Sequence, residues 1–591
     1  MLDKSDVLHQ FRKFIFLRTI FWDVFYTSKK FTRSALRVYY LLHNSTADNI
    51  LQQIYNYRNS WMLCFFTGVL AGFSQPPISA FWVLPLAFIL CIRMIDFAQS
   101  RQALTKCAIL FNIGYGVTVF YWPAYGVYIF GFPAFAVPIA SVGIIFLSGI
   151  IPSIMLMIFG IISTNTPPFR RIFLFASMWV ISEYLRGFVV FKFPFGLIGY
   201  SVEKFPSLYQ VASVFGVFGL SFIIVLWGCS FYIVLFTDNK LRFISYFRTF
   251  IIINISLFFI AILGKVRLYT PHLPHLPHKV AIIQGNSSVG MSKIEQFKIY
   301  SLMTAKLQNN INVAIDVIIW PESAGFPFDV ERDVKSFQYV NRFIAPNQTF
   351  IFSGVRRHDN GDIFNAMYIY DNKKLRFHNK HHLVPYGEYL PIIQRYKIGK
   401  VLARGAGIGF TSGKGIAIMP TIHGNVLPLI CYEVAYSGKI LHGLFNTILH
   451  HQSADYAINT TNDEWFGLSS GPYQHFAMVK YRAVEEGISF VRASNNGFSA
   501  IVDPYGRVSS KQTNLFEKDI VVSTIPKKLP KGTLFALWGN IPILLLTSFV
   551  TMYYILTYLY SIHTQKIHCM VTDFLERRAK RKEDPSYKRR Y

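Results

Sequence analysis

The amino-acid sequence predicts a polytopic α-helical membrane bundle of about eight spans, joined to an extracytoplasmic α/β domain. Composition is the first reason, because 52% hydrophobic residues, 15% charged residues and a mean hydropathy of +0.33 are too apolar for a soluble protein of 591 residues. The second reason is that apolar stretches flank one polar segment, about residues 270 to 530. Inside that segment short β-rich runs alternate with helix-length stretches, which is typical of an α/β sandwich.

The apolar stretches define the predicted spans, at roughly 20 residues for each helix that crosses a bilayer. The first two are short and are separated only by Gly72-Phe-Ser-Gln-Pro-Pro77, so a re-entrant hairpin is an alternative for that pair. The eight predicted spans are residues 60–76, 78–95, 107–130, 133–163, 170–190, 209–236, 247–265 and 534–561.

Basic residues are concentrated in alternate loops and in both tails, which orients the bundle by the positive-inside rule. Positive charges beside anionic lipid account for the net charge of +28, so we expect no nucleic-acid partner. An even number of spans with both tails cytoplasmic then puts the polar domain on the outer face. The basic loop residues are Arg93, Arg101 and Lys106; Arg170 and Arg171; and Lys240, Arg242 and Arg248.

Two segments outside the predicted spans, residues 1–57 and residues 271–278, have compositions that need a separate interpretation. Residues 1–57 contain apolar runs that Arg18 and Asp23 interrupt, which favours an interfacial helix over a ninth span or a cleaved signal. The run from Pro271 to His278 has a proline at every third position, which predicts a stiff polyproline spacer. Its three histidines share one edge, but no carboxylate or cysteine joins them, so we expect no metal site there.

These boundaries divide the chain into six parts. They are a basic cytoplasmic or interfacial extension (residues 1–57), a bundle of seven spans (58–265), a Pro/His linker (266–278), the α/β domain (279–527), the last membrane helix (533–561) and a basic cytoplasmic tail (562–591). The predicted strands of the α/β domain are residues 279–284, 317–320, 349–353, 366–370, 426–430, 456–459, 498–502 and 519–523.

Three side chains in the polar segment make a candidate nucleophilic site. A carboxylate (Glu322), an amine (Lys380) and a thiol (Cys431) each follow a strand-like run, and chemistry in α/β folds lies in the loops after strands. Glu322 and Cys431 are 109 positions apart, so only the fold brings them together. For Cys431 alone, the other interpretation is a small buried hydrophobic residue.

The motifs around these residues resemble a known family. Trp320-Pro-Glu322, Lys380 and Cys431-Tyr-Glu433, in that order, resemble the Glu-Lys-Cys triad of the nitrilase superfamily, and specifically its membrane-bound apolipoprotein N-acyltransferase family. One departure is Ile294 after Lys293, where the family usually has a tryptophan. The further matching motifs are Gln284-Gly-Asn286, His382-Leu-Val-Pro-Tyr-Gly-Glu-Tyr389, Asn462-Asp-Glu-Trp-Phe-Gly467, Gly471-Pro-Tyr-Gln-His475, Arg492-Ala-Ser-Asn-Asn-Gly497, Glu183-Tyr-Leu-Arg-Gly187 and Phe193-Pro-Phe-Gly-Leu-Ile-Gly-Tyr200.

The resemblance implies a nitrilase-like sandwich and an acyltransferase of lipoprotein maturation in the bacterial inner (cytoplasmic) membrane, with its catalytic domain on the periplasmic face. A phospholipid would donate an acyl chain to Cys431 as a thioester. The α-amine of the N-terminal S-diacylglyceryl cysteine of an apolipoprotein would then accept that chain, in a ping-pong sequence. The resemblance implies neither a cofactor nor a metal, and we expect a monomer.

Acyl transfer needs a base and a group that stabilises an oxyanion, which we assign to Glu322 and Lys380. Glu388 is expected to orient the lysine or the incoming amine, with a structural salt bridge as the alternative. The family implicates Tyr432 and Glu433 as supporting residues. The alternatives are packing with a hydrogen bond for Tyr432 and buried ion pairing for Glu433.

Other polar residues of these motifs are expected to be structural. Glu183 and Arg186, three positions apart on one helix face, are expected to form an ion pair. Residues 389–393 and 405–410 are apolar or glycine-rich and are predicted to form loops that dip toward the lipid. The triad already supplies a base and an electrophile, so the nearby histidines need no catalytic role. We therefore expect a structural role for His381, His382 and His475.

Two other functions compete with acyl transfer. A membrane-tethered amidase of the nitrilase type would use water in place of the amine and hydrolyse a small amide. A transporter with a regulatory outer domain would need several ionisable residues at mid-membrane, and the predicted spans contain very few. We therefore rank the transporter last.

Overall fold

The computed structural model describes residues 60–129, 133–164, 166–236, 240–270, 273–309, 314–322, 324, 330–331, 342, 344–389, 409–438 and 454–583. The interfacial helix expected in residues 1–57 lies outside the described residues. So do residues 390–408, which hold most of the two loops predicted to dip toward the lipid.

Apolar helices build the first part of the chain and return once at its end. The helices of this part are α1 (Ser60–Gly72), α2 (Leu84–Phe97), α3 (Arg101–Val119), α4 (Tyr125–Ile129), α5 (Ala136–Ile162), α6 (Pro168–Tyr184), α7 (Pro206–Tyr209), α8 (Ala212–Leu235) and α9 (Lys240–Leu268), and at the end of the chain α12 (Leu534–Trp538) and α13 (Ile541–Glu583). The α/β domain between them contributes α10 (Lys293–Gln308) and α11 (Gly471–Glu486). Where the chain leaves helix α6, six further residues, Leu185–Val190, form a π-helical turn.

Among the described residues, five helices are long and apolar enough to span a membrane, or six if α3 and the bent stretch Trp122–Ile129 count as one span. The five are α5, α6 with its π-helical turn, α8, α9 and α13. Helices α1 and α2 have only 13 and 14 residues, fewer than the roughly 20 that cross a bilayer. Their shortness agrees with the re-entrant alternative for this pair.

Helices α1 and α3 pack through a reciprocal glycine contact. A Cβ atom on Gly68 would lie 1.9 Å from the carbonyl oxygen of Phe111, and one on Gly114 would lie 2.0 Å from that of Phe65. Only glycine lets the two backbones approach this closely, which is a common way to join helices in a membrane. The short helix α1 is thereby held against the 19-residue helix α3.

The last helix is longer than predicted. Helix α13 has 43 residues, about 64 Å at 1.5 Å per residue, and continues to Glu583 through much of the segment predicted as a tail. It starts at Ile541 rather than near residue 534, because α12 ends at Gly539, whose φ is +56°. That left-handed conformation, which favours glycine, turns the chain between the two helices.

The α/β domain contains two sheets. A six-stranded sheet has the order β11-β1-β2-β3-β4-β5, and a five-stranded sheet has the order β10-β9-β8-β7-β6. The strands are β1 (His275–Gln284), β2 (Val317–Ile319), β3 (Thr349–Arg357), β4 (Ile363–Asp371), β5 (Lys374–Asn379), β6 (Met419–Thr421), β7 (Gly424–Ile430), β8 (Tyr456–Thr461), β9 (Ser489–Ser494), β10 (Ala500–Val502) and β11 (Asp519–Pro526).

Side-chain alternation along β1 shows how the layers stack. Ile282 belongs to a core that it shares with strands of the second sheet, for example through Leu429. Its neighbour Ile283 points to the other face and joins a separate core with Tyr300 of helix α10 (Lys293–Gln308). The two sheets are therefore packed face to face, with α10 on the outer face of one, as expected for a sandwich.

Strands β1, β2 and β3 run parallel, as do β7, β8 and β9. The sequence patterns did not predict β5, β6 or β9. Strand β5 is a charged edge strand, and β9 buries Arg492, so neither reads as an apolar run. Strand β1 also starts at His275, inside the segment predicted as a polyproline spacer, because His275 pairs with Pro526 of β11.

Candidate active site

Three strand ends bring the predicted triad together. Glu322 lies three residues after β2, Lys380 directly follows β5, and Cys431 directly follows β7. All three side chains are nearly inaccessible to solvent, with exposed fractions of 6% for Glu322, 1% for Lys380 and 6% for Cys431. Burial of a carboxylate, an amine and a thiol in one place costs free energy unless the groups form ion pairs or hydrogen bonds with one another.

Lys380 lies between two carboxylates. Its Nζ is 2.8 Å from Oε1 of Glu388 and 3.4 Å from Oε1 of Glu322. Nδ2 of Asn365, on β4, donates to the same two oxygens at 3.0 and 2.7 Å. The backbone N–H of Asn462 donates to the second oxygen of Glu322 at 3.1 Å, which fixes that carboxylate.

The charge state of Lys380 follows from these neighbours. Burial alone would lower the pKa of its ammonium group, but the charges of Glu322, Glu388 and Cys431 outweigh burial and raise that pKa above its ordinary value. Lys380 is therefore a fixed cation. A fixed ammonium is suited to stabilising an oxyanion and unsuited to accepting a proton.

Cys431 has a strained backbone. Its φ is +49°, in the left-handed region, at the first position of the 3₁₀ turn Cys431–Ala435. Its carbonyl oxygen accepts hydrogen bonds from Nδ2 of Asn459 at 3.2 Å and from Nε2 of His475 at 3.3 Å. A non-glycine residue in this conformation costs about 1 to 3 kcal/mol and persists because the surroundings hold it, which is common for functional residues.

The thiol of Cys431 is neutral at rest. Burial and the neighbouring charge of Glu322 raise its pKa well above the ordinary value, and the ammonium of Lys380 offsets only part of this rise. A neutral thiol must lose its proton as it attacks a carbonyl carbon. The site therefore needs a base beside the sulfur, and Glu322 is the carboxylate whose charge acts most strongly on it.

Glu433, two residues after Cys431, accepts hydrogen bonds from backbone N–H groups. Its Oε1 accepts the N–H groups of His381 at 2.7 Å and His382 at 3.2 Å, and its Oε2 accepts the N–H of Ile430 at 2.8 Å and Nε2 of His378 at 3.3 Å. Burial acts to raise the pKa of Glu433, but His378 and the backbone donors lower it to about 2. This carboxylate ties the end of β7 to the segment after Lys380.

The tyrosines after Cys431 contact the membrane bundle. The hydroxyl groups of Tyr432 and Tyr436 both donate to the carbonyl oxygen of Lys192, the latter at 3.1 Å. The ring of Tyr432 stacks on that of Phe195, with 6.1 Å between centroids and 20° between planes. This arrangement matches packing with a hydrogen bond, the alternative considered for Tyr432.

The histidines of the site have structural contacts. Nδ1 of His475 is 3.0 Å from Oδ1 of Asp463, and Arg492 donates to Oδ2 of the same carboxylate at 2.7 Å. Nδ1 of His381 is 2.7 Å from the carbonyl oxygen of Gly413, and the ring of His382 stacks 4.1 Å from that of Tyr436. His475 thus lies next to the turn Cys431–Ala435, where its Nε2 is 3.3 Å from the carbonyl oxygen of Cys431.

Sequence reasoning missed several residues of the site. Asn365, which binds both carboxylates, carries no signal because it lies early in a strand with a mixed pattern. Asn462 and Asp463 lie in a motif that was noted without a role. Lys192 and Phe195 belong to the membrane part, and no local pattern predicts that they reach the turn of Cys431.

Comparison with known proteins gives consistent matches along the chain. Residues 67–230 match the family model described as "Apolipoprotein N-acyltransferase N-terminal domain", and residues 279–530 match "Carbon-nitrogen hydrolase". The second match confirms the expected nitrilase-like fold of the α/β domain. Yeast Nit3, from Saccharomyces cerevisiae and described as a member of branch 10 of the nitrilase superfamily, is 17% identical, with a TM-score of 0.32 over 43% of this chain and 90% of that one.

Two curated relatives, each named apolipoprotein N-acyltransferase, cover most of the chain. The protein of Rickettsia typhi is 32% identical over 515 residues, which is 84% of this chain and 99% of that one. The protein of Rickettsia prowazekii is 32% identical over 513 residues, with the same two shares. These matches confirm the resemblance that the motifs predicted.

Proposed function

The chain belongs to the apolipoprotein N-acyltransferase family and N-acylates lipoproteins, and from that premise we propose how its site carries out the reaction. A phospholipid donates its acyl chain to the sulfur of Cys431 as a thioester. The α-amine of an N-terminal S-diacylglyceryl cysteine on an apolipoprotein then takes the chain as an amide. This ping-pong sequence uses one pocket twice.

In the first half-reaction, the sulfur of Cys431 attacks the ester carbonyl of the phospholipid while Glu322 accepts the thiol proton. The ammonium of Lys380 stabilises the oxyanion of the tetrahedral intermediate. The intermediate collapses by breaking the ester C–O bond, and the leaving alkoxide takes the proton from Glu322. The products are an acyl-enzyme and a lysophospholipid.

In the second half-reaction, the neutral amine attacks the thioester carbonyl and Glu322 accepts the amine proton. Lys380 again stabilises the oxyanion, and the C–S bond breaks as the amide forms. Glu322 returns the proton to the sulfur, which restores the neutral thiol. Glu388 binds Lys380 at 2.8 Å throughout, so we assign it to orienting that ammonium.

One observation supports this proposal above the others. The buried ammonium of Lys380 lies between two carboxylates, beside a thiol whose pKa is raised, so a cation, a base and a neutral nucleophile share one water-poor pocket. The amidase alternative would use the same three groups with water as the acceptor. Membership of an N-acyltransferase family favours the amine.

We also propose that both tails lie on the cytoplasmic face of the bacterial inner membrane and the α/β domain on the periplasmic face. Arg93, near the end of α2, and Arg171, near the start of α6, were predicted to lie in basic loops but lie in helices, and both contact Asp96, at 3.4 and 2.5 Å, so these helix ends lie together at one end of the bundle. The α/β domain contacts the other end through Tyr432 and Lys192. The positive-inside rule assigns the basic end to the cytoplasm.

The test is a search for the acyl-enzyme. We expect purified wild-type protein, mixed with a phospholipid carrying a radiolabelled acyl chain, to form an adduct that survives denaturation and is released by hydroxylamine. Cys431→Ala should form none. Cys569→Ala is the matched control, because Cys569 is exposed on α13 and should not affect the adduct.

Glu322→Gln separates the base from the nucleophile. Glutamine keeps the shape of the side chain but accepts protons poorly, so we expect the adduct to form slowly in this variant. An undiminished adduct in Cys431→Ala would show that the nucleophile is another residue and would overturn the proposal.

A further inference from the structure

Two buried charged residues of the membrane part, Glu183 and Arg186, are not used by the proposed mechanism. Their exposed fractions are 3% and 2%, at the end of α6 and in the π-helical turn that follows it. The predicted ion pair between them is wrong: within the part of the chain that the structure describes, no salt bridge joins them. Both bind backbone instead. Buried charges in a membrane are costly and generally serve a function.

The backbone that they bind is the next stretch of chain, residues 191–198, which we call the platform loop. Nη2 of Arg186 donates to the carbonyl oxygens of Phe195 at 2.7 Å and Gly196 at 3.3 Å. Oε1 of Glu183 accepts the backbone N–H of Ile198 at 2.7 Å and Nε1 of Trp179 at 2.9 Å. One cation and one carboxylate therefore fix the second half of the platform loop.

The platform loop carries the turn that follows Cys431. Its Lys192 carbonyl accepts the hydroxyl groups of Tyr432 and Tyr436, and its Phe195 ring stacks on Tyr432. Lys192 itself has a φ of +52°, which aims that carbonyl in a way that extended backbone would not. The contacts thus run from Arg186 through the platform loop to the residue next to the thiol.

We propose that Glu183 and Arg186 are positioning residues for acyl transfer: they hold the platform loop, and the loop holds the turn that aims the sulfur of Cys431. This inference rests on the proposed role of Cys431 as the nucleophile. The left-handed backbone of Cys431 needs support from outside its own turn, and part of that support comes from the membrane bundle.

We expect the loss of this support to lower the acylation rate strongly, although neither residue touches the reacting atoms. A misplacement of about 1 Å at a reacting group costs about a hundredfold in rate. Substrate binding is a separate matter, because the hydrogen bonds of Glu183 and Arg186 are made to Trp179 and the platform loop. Loss of either residue should therefore slow acylation without changing the phospholipid concentration that half-saturates it.

Helix α6 supplies a matched control at its other end. Arg171 is also buried, and its guanidinium binds Asp96 at 2.5 Å and the hydroxyl of Tyr232 at 3.0 Å. It lies 15 positions before Arg186, about 22 Å along a helix. Arg171→Met removes as many polar contacts as Arg186→Met, but away from the platform loop.

The experiment measures the rate constant of thioester formation on Cys431 per folded molecule, and the half-saturating phospholipid concentration, for five proteins. These are wild type, Arg186→Met, Glu183→Leu, Glu183→Gln and Arg171→Met. We expect Arg186→Met and Glu183→Leu to be slowed about tenfold to a hundredfold, with half-saturation unchanged. Glu183→Gln keeps an acceptor oxygen for Ile198 and should stay within about threefold of wild type.

Arg171→Met should lower thermal stability yet acylate at nearly the wild-type rate per folded molecule. If Arg186→Met does not fold, Arg186→Lys replaces it, since the ammonium keeps the charge but loses the fork that reaches two carbonyls. The inference is overturned if Arg186 and Glu183 variants acylate at the wild-type rate, if Arg171→Met is slowed equally, or if only half-saturation changes. A wild-type protein that forms no adduct on Cys431 would instead overturn the proposed function.

Discussion

The candidate active site and the basic end of the membrane bundle both bring opposite charges together, but a cation is the shared group in one and a carboxylate in the other. In the pocket, one cation, Lys380, serves two carboxylates, Glu322 and Glu388. Among the described residues of this pocket a negative charge is therefore left over, and it lies beside a neutral thiol. A surplus carboxylate in a dry pocket is able to accept a proton, which is what nucleophilic attack requires.

At the basic end of the bundle the shared group is a carboxylate instead of a cation. The carboxylate of Asp96 contacts two guanidinium groups, those of Arg93 and Arg171, and accepts the hydroxyl of Tyr232, which also contacts Arg171. Asp96 and Arg93 lie in α2, Arg171 in α6 and Tyr232 in α8, so this cluster joins three helices. The first arrangement is suited to chemistry, because one cation holds two carboxylates beside a thiol, and the second is suited to structure, because two permanent cations hold one carboxylate.

Glu433 shows the same distinction within the pocket itself. It lies two positions from Cys431, closer in sequence than Glu322, yet it has four hydrogen-bond donors and a pKa of about 2. Sequence proximity therefore does not identify the base. Instead, the number and kind of hydrogen-bond donors around each carboxylate indicate which one is able to accept a proton.

The largest effect should come from removing the cation of the pocket. Lys380→Met leaves two carboxylates unpaired beside the thiol and removes the oxyanion partner. We expect thioester formation to slow about a hundredfold to a thousandfold, since one oxyanion donor is worth about 3 to 4 kcal/mol. Single-turnover labelling with phospholipid measures it.

Lys511→Met is the matched control for Lys380→Met. Lys511 also pairs with a carboxylate, Asp519, at 2.6 Å, but its side chain is 63% exposed. Solvent screening makes such a pair weak, so the rate should stay at the wild-type value. A slowing of less than tenfold in Lys380→Met would show that its charge does not stabilise the reaction.

The next effect concerns the stability that Glu433 provides. Because its folded-state pKa is lowered from 4.5 to about 2, its ionised form stabilises the fold by roughly 3 kcal/mol above about pH 5, and this contribution is lost as pH falls toward 2. Glu433→Gln should therefore unfold at a lower temperature than wild type at pH 7. The difference should shrink steadily between pH 5 and pH 2.

Thermal unfolding in detergent micelles at several pH values measures this difference. Comparing the variant with wild type at each pH removes the effect of other titrating groups, such as Asp463, whose pKa Arg492 and His475 lower to about 2 against the effect of burial. A difference that is constant from pH 7 to pH 3 would contradict the structural role of Glu433.

The smallest effect should be at the basic end of the bundle. Asp96→Asn keeps the shape of the side chain but removes the carboxylate that contacts Arg93 and Arg171. We expect a loss of about 2 kcal/mol of stability, as for a hydrogen bond to a charged group, and unchanged thioester formation per folded molecule. Thermal unfolding and phospholipid labelling of the same sample check both. If Asp96→Asn slowed thioester formation as much as Lys380→Met does, the basic end of the bundle would not have a purely structural role.

Much of the fold was predictable because its signals are local. The long apolar runs became helices α5, α8 and α9, and apolar runs such as 317–320 and 426–430 became strands. Strand β9 was missed because Arg492 interrupts its apolar pattern. The buried guanidinium of Arg492 donates hydrogen bonds to Asp463 and Asn459, which lie 29 and 33 positions away in the sequence. A pattern of neighbours along the chain does not contain partners so distant.

The sequence by itself determined the class of the protein and the residues of its candidate triad, because hydropathy, strand ends and the Glu, Lys and Cys motifs are properties of short segments. Only the tertiary structure decided which carboxylates share Lys380, why Glu433 is tied to backbone, and that Glu183 and Arg186 hold a loop instead of each other. The physical reason is that the state of a buried charge depends on its hydrogen-bond donors. Those donors come from chain far away, as with Tyr432 and Lys192, 240 positions apart.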